Sequence, residues 1–156
     1  MYVKRNHRHL SSITLSKGEL IKTSRFDGGP VYYEDTDFSG FVYHANYLKF
    51  CERAREHLIG IDKIRQSFER GLHFVVHELN ITYKKPLSHG CEFFVLSSLY
   101  QSPRSPRIYF HQEIFFQKER TSEPLLAADV LLSVVFLDQS HSIQIIDARD
   151  FLSPNS

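Results

Sequence analysis

From residue 44 onward the apolar positions recur at helical spacing. Tyr47, Cys51, Ala54, Leu58 and Ile61 follow one another at steps of four, three, four and three, which lines one face of a helix. Lys49, Glu52, Arg53 and Glu56 occupy the other side. The spacing predicts an amphipathic helix over residues 44–59, ending near Gly60, a residue suited to the left-handed C-terminal cap position. A shorter helix is predicted over 62–70, with Asp62 as its N-cap and Gly71 as its stop. Beyond Gly71 the period becomes two. Leu79, Ile81 and Tyr83 alternate with Glu78, Asn80 and Thr82, the signature of a strand with one wet face. Residues 93–100, 108–117 and 125–137 read as three further strands, separated by segments rich in Pro, Gly or charge. Upstream, Val31-Tyr32-Tyr33 reads as a first strand after Gly28-Gly29-Pro30, and 34–40 as a polar loop. Short connections predict that successive strands pair antiparallel as a meander. Residues 125–137 are largely apolar on both faces, which predicts a central strand.

This order is α+β, one antiparallel sheet on one main helix. A chain of 156 residues buries roughly 68–70% of its unfolded surface, so one domain is expected over residues 21–156. Residues 1–20 are read as a flexible N-terminal extension, basic at Lys4, Arg5 and Arg8. One helix covers a sheet this long only in part, so the remaining apolar surface predicts a homo-oligomer. The net charge of +1 argues against a protein that grips nucleic acid through its overall field. Two cysteines, Cys51 and Cys91, form neither a disulfide framework nor a CxxC knuckle, as in a reducing compartment. The longest nearly uninterrupted apolar stretch is residues 130–137, eight residues including Ser133, well short of the roughly 20 needed to span a bilayer. The first twenty residues hold no apolar signal region. The expectation is a cytoplasmic protein without a transmembrane segment or nucleic-acid partner.

The chemistry concentrates between the first strand and the helix. Glu34, Asp35, Asp37, Gly40 and His44 all lie within this joining segment. Ionisable groups there sit beside helix-start amides that lack intrahelical partners, where developing negative charge is stabilised. The same acids also read as a solvated loop that caps the helix. Asp35-x-Asp37-x-Ser39-Gly40 imitates the opening of a calcium-binding EF-hand loop, but position twelve is Asn46 where a bidentate Glu is required. No G-x-S-x-G surrounds any of the seven glycines. His73 and His77 are four apart on a predicted strand, too far to share a metal. No metal site is expected.

Tyr33-Glu34-Asp35-Thr36-Asp37, then Gly40, then Val42-Tyr43-His44-Ala45-Asn46-Tyr47-Leu48 closely resembles the signature of hotdog-fold acyl-CoA thioesterases. The type is that of 4-hydroxybenzoyl-CoA thioesterase, in its YbgC-like branch associated with the Tol-Pal system. The likeness continues through Glu52-Arg53-Ala54-Arg55-Glu56 and, more loosely, Tyr83-Lys84-Lys85-Pro86-Leu87. It implies a long helix wrapped by an antiparallel sheet, and hydrolysis of an acyl-CoA or an acyl carrier protein thioester by a homodimer or homotetramer, without a cofactor. It also implies that Asp37 is the catalytic carboxylate, as nucleophile or general base. His44 is the second catalytic position, its backbone amide polarising the carbonyl. Gly40 would let the chain approach the acyl group. Tyr43 and Tyr47 flank the site as substrate-binding candidates or as packing residues. Cys51, on the apolar helix face, is expected to be buried and inert. Lys84, Lys85, Arg104 and Arg107 are candidate partners for coenzyme A phosphates. Phe38, Ser39 and Phe41 depart from the small-residue or Val pattern more usual between Asp37 and Val42, which bears on acyl preference. A hotdog hydratase, with His44 as the principal acid or base, and a non-catalytic acyl-thioester or envelope-complex scaffold are the alternatives.

Overall fold

The computed structural model describes residues 17–154. Its strands are β1 (Glu19–Pro30), β2 (His73–Tyr83), β3 (Glu92–Gln101), β4 (Ile108–Gln117), β5 (Leu125–Leu137) and the short β6 (Ile143–Gln144). Its helices are α1 (Asn46–Ile59), α2 (Ile61–Glu69) and α3 (Ala148–Leu152). The main helix starts two residues later than its apolar spacing suggests, because the chain through His44 is still turning. Asp62 does not cap α2. Gly60 takes that place, so the two helices join at a single residue. Residues 1–16 of the expected N-terminal extension lie outside the described residues, while Glu19 and Leu20 are the first residues of β1.

The first strand is not Val31-Tyr32-Tyr33. β1 precedes it, and Tyr33–Asp35 is a turn of 3-10 helix. Val31 continues the pairing briefly, donating its N–H to Cys91 O at 2.9 Å. β1 escapes a reading by alternation because its pairing with β3 slips twice, between Leu20 and Lys22 and between Asp27 and Gly29, and a slip reverses which side chains face inward.

The sheet order is β1-β3-β4-β5-β2, with every pair antiparallel. The expected meander holds for β3-β4-β5, and β5 is interior as anticipated. It fails between β2 and β3. β2 pairs with β5 at the far edge, three strand spacings from β3, or about 14 Å. The connection over residues 84–91 crosses the end of the sheet to close that gap. Lys84 and Lys85 donate their N–H groups to Ala127 O, and Gly90 donates to Val31 O.

α1 packs on one face of this sheet, burying Tyr47, Phe50, Cys51, Ala54, Arg55, Leu58 and Ile59. Each large apolar side chain so placed contributes about 1.5–3 kcal/mol. Phe50 stacks on Phe93 with ring centroids 4.3 Å apart. A Cβ on Gly28 would meet the Phe93 ring at 2.1 Å, so the absence of a side chain there lets the ring lie against β1. A polar link lies within this interface. Gln112 donates from Nε2 to Cys51 O and Ser97 Oγ, both at 2.9 Å, and accepts from Arg55 Nη1 at 2.9 Å. Burial pulls the Arg55 pKa below its ordinary value and pushes the Cys51 thiol up to about 12, which leaves it unreactive. Among the described residues no helix is long and apolar enough to cross a membrane.

Candidate active site

Residues 36–42 form a tight hairpin. Thr36 pairs with Val42, Asp37 donates its N–H to Phe41 O, and Gly40 donates to Asp37 O, each at 3.0 Å. Gly40 has φ +82° and open space where a Cβ would stand, so its part in the chain is the turn itself. The hairpin rests on the crossing connection, since Val42 donates to Leu87 O at 2.8 Å and Phe41 pairs with Ser88.

Tertiary contacts separate the three acids. Asp35 is buried and accepts from Tyr32 N–H at Oδ2, while its carbonyl accepts from Tyr43 N–H at 2.9 Å and Asn46 Nδ2 at 3.0 Å. It is a structural brace between turn and helix. Glu34 and Asp37 face solvent. Asp37 Oδ1 accepts two hydrogen bonds from Ser39, from its N–H at 2.8 Å and its hydroxyl at 2.5 Å. The hydroxyl and then the amide of Ser39, with a smaller contribution from the charge of His44, hold the Asp37 carboxyl below the usual carboxylate range. It is ionised at neutral pH.

At the start of α1, Ala45 occupies the cap position without a side-chain cap. Tyr43 donates to Asp35 O, Asn46 to Tyr43 O at 2.8 Å and Leu48 to Ala45 O at 3.1 Å. Among the described residues the His44 N–H donates to no backbone carbonyl. It is an uncommitted donor at the positive end of a helix, the arrangement that stabilises a developing oxyanion. The His44 ring lies against Tyr43, with centroids 4.5 Å apart.

Gly40 thus turns the chain beside Asp37, the charge of His44 is near enough to act on the Asp37 carboxyl, and Tyr43 lies against the His44 ring. Tyr47 points into the core, 3% exposed. Its hydroxyl accepts from Leu87 N–H at 3.1 Å, and burial raises its pKa. Phe38 stands fully exposed at the hairpin tip. Lys84 and Lys85 start the connection that supports the hairpin. Arg104 and Arg107 lie in the β3–β4 loop, at the other end of a 10-residue strand, about 30 Å away within one chain. A cleft of about 240 Å³ opens further along α1, lined by Glu52, Arg55, Glu56, Ile59, Phe74 and Val76 among others. Among the described residues no cluster of His, Cys, Asp and Glu could hold a metal ion. Reading the sequence alone missed Asn46 as a brace and Ser39 as the partner of Asp37. The D-x-S spacing is a side-chain turn signal that could have found the latter.

A sequence profile of the thioesterase-like superfamily matches residues 31–153. The acyl-CoA thioesterase YbgC of Helicobacter pylori is 34% identical over 105 residues, 67% of this chain and 77% of the relative. The acyl-CoA thioesterase YbgC of Haemophilus influenzae is 54% identical over 56 residues, 34% of this chain and 41% of that relative. Among solved structures, a 4-hydroxybenzoyl-CoA thioesterase mutant complexed with 4-hydroxybenzoyl-CoA superposes with a TM-score of 0.71 at 14% identity, over 85% of this chain and 100% of the other. A 1,4-dihydroxy-2-naphthoyl-CoA thioesterase from Synechocystis gives 0.69 at 20% identity, over 82% and 92%. These two likenesses concern the fold, a hotdog.

Proposed function

The chain belongs to the thioesterase-like superfamily and, within it, to the YbgC-type acyl-CoA thioesterases, and on that premise we propose that it hydrolyses an acyl-CoA thioester to a free acid and coenzyme A. Asp37 acts as nucleophile or general base, and the amide at His44 polarises the thioester carbonyl. The observation that supports the reading is an ionised carboxylate at Asp37 followed, seven positions on, by an uncommitted helix-start N–H at His44.

The chemistry asks for little else. A thiolate leaves readily, so the barrier lies in forming the tetrahedral centre and not in expelling the leaving group. Either Asp37 attacks the carbonyl carbon, the C–S bond breaks and water hydrolyses the resulting anhydride, or Asp37 takes a proton from the water that attacks. In both routes one water is consumed, and the acid and the thiol are released. General-base assistance contributes typically about 10²–10⁴-fold, and one oxyanion donor about 10²–10³-fold.

The reading includes a homodimer or homotetramer. It is supported by β2, which pairs only with β5 among the described strands and exposes Val75, Val76, Leu79 and Tyr83. An apolar strand edge of this kind is a template for pairing with a second copy.

The test is release of free thiol from a panel of aliphatic and aromatic acyl-CoAs and an acyl carrier protein thioester, followed with a thiol reagent. Turnover of at least one substrate is expected. A protein that binds these thioesters and releases no thiol would return the argument to the scaffold, and one that adds or removes water at the β-carbon would return it to the hydratase.

A further inference from the structure

We infer that Ser39 is the positioning residue of this site, fixing Asp37 through Oδ1 and leaving Oδ2 as the oxygen that reacts. The inference rests on the reading of Asp37 as the catalytic carboxylate.

Asp37 is on an exposed hairpin tip, where nothing bulky restrains its two side-chain torsions. A carboxylate free to rotate spends little time aimed at a substrate. Two donors from one residue converge on one of its oxygens, which fixes both the rotamer and the tilt of the carboxylate plane. The other oxygen, Oδ2, accepts no hydrogen bond among the described residues.

The donor is itself oriented. Phe41 N–H donates to Ser39 Oγ at 3.3 Å. With an oxygen lone pair engaged in that way, the hydroxyl proton points to Asp37. The relay Phe41 N–H to Ser39 O–H to Asp37 Oδ1 is built into the same hairpin that the Thr36–Val42 pairing closes, and bonds in such a chain reinforce one another. The neighbouring charges leave this assignment in place. His44 adds a smaller pull in the same direction, Asp35 is committed to Tyr32 N–H, and Glu34 faces solvent.

The Ser39 hydroxyl outweighs the Ser39 amide in its hold on the Asp37 carboxyl. It shifts the ionisation of Asp37 toward lower pH and makes it a weaker base than a free carboxylate. Charge state and aim are thus secured at some expense in basicity.

The experiment compares the intact protein with Ser39→Ala, Ser39→Thr and Asp37→Asn. The readouts are kcat/KM against pH on one acyl-CoA, the titration of the Asp37 carboxyl carbon by ¹³C NMR, and thermal melting. Ser39→Ala keeps the amide donor and loses the hydroxyl. Its acid limb and its Asp37 titration are expected to move to higher pH, and its plateau to fall by less than about tenfold, the worth of a lost rotamer preference. Ser39→Thr restores both. A Ser39→Ala enzyme whose acid limb and Asp37 titration coincide with those of the parent overturns the inference, even if its melting temperature falls, since that result leaves Ser39 only a hairpin residue. Turnover retained in Asp37→Asn overturns instead the underlying reading, whatever Ser39 does.

Discussion

The hydroxyl of Tyr83, the last residue of β2, donates to the backbone carbonyl of His44 at 2.7 Å. This bond ties the edge strand to the residue whose amide is proposed to polarise the thioester carbonyl. The Tyr83 ring also meets Tyr47 edge-on, with centroids 5.3 Å apart. Burial raises the Tyr83 pKa, so the phenol remains a donor at neutral pH. Tyr83→Phe keeps the ring and removes the bond. It is expected to lower kcat by about 3–10-fold and stability by about 0.5–1.5 kcal/mol, read from steady-state kinetics and denaturant melts. A variant with parental kcat would detach this contact from the site.

Asp37 and His44 are separable by substitution because His44 contributes through its amide as well as its imidazole. Asp37→Asn preserves shape and loses charge, so kcat is expected to fall by at least about 100-fold with the fold intact. His44→Ala leaves the amide in place, and a loss of about 10–100-fold is expected. Measured as kcat/KM on the best substrate, the reverse order would transfer the main acid–base role to His44 and favour the hydratase chemistry.

Gln112 is fully buried between α1 and the sheet and satisfies Arg55, Cys51 O and Ser97 at once. Gln112→Leu fills similar space but strands a buried guanidinium. A destabilisation of about 2–4 kcal/mol is expected, seen as a lower denaturation midpoint. A midpoint within error of the parent would mean that water in the adjoining cleft replaces the amide.

Light scattering on the whole protein is expected to give the mass of two or four chains. Leu79→Lys, placing like charges on both copies of a shared β2 edge, is expected to shift the mass toward one chain and to lower activity with it. A monomeric parent that still turns over substrate would remove the oligomer from the mechanism.

Local order in the chain determined a good part of this protein. The apolar steps from Tyr47 to Leu58 mark α1 to within two residues of its start, because a helix satisfies its backbone within itself and its period is written in consecutive residues. β3, β4 and β5 are legible for a related reason, since each is strongly apolar and the short β3–β4 and β4–β5 connections leave an antiparallel hairpin as the ready solution. The site motif was legible because Asp37, Gly40 and His44 are close in sequence.

Tertiary structure decided the rest. β1 carries only Leu20, Ile21 and Phe26 as large apolar residues, and its register with β3, broken by two slips, is set by a partner some seventy positions away. The placement of β2 beside β5 depends on the reach of the 84–91 connection, which no local pattern encodes. The three acids of the motif look alike in sequence. Only the folded chain buries Asp35 against Tyr32 and Asn46 and leaves Asp37 exposed with Ser39 as its partner, because hydrogen-bond partners are distributed by how the backbone turns back on itself and not by residue type. The same distinction separates Lys84 from Arg104. Both are cations in connecting segments, and the length of β3 puts one beside the hairpin and the other at the opposite end of the sheet.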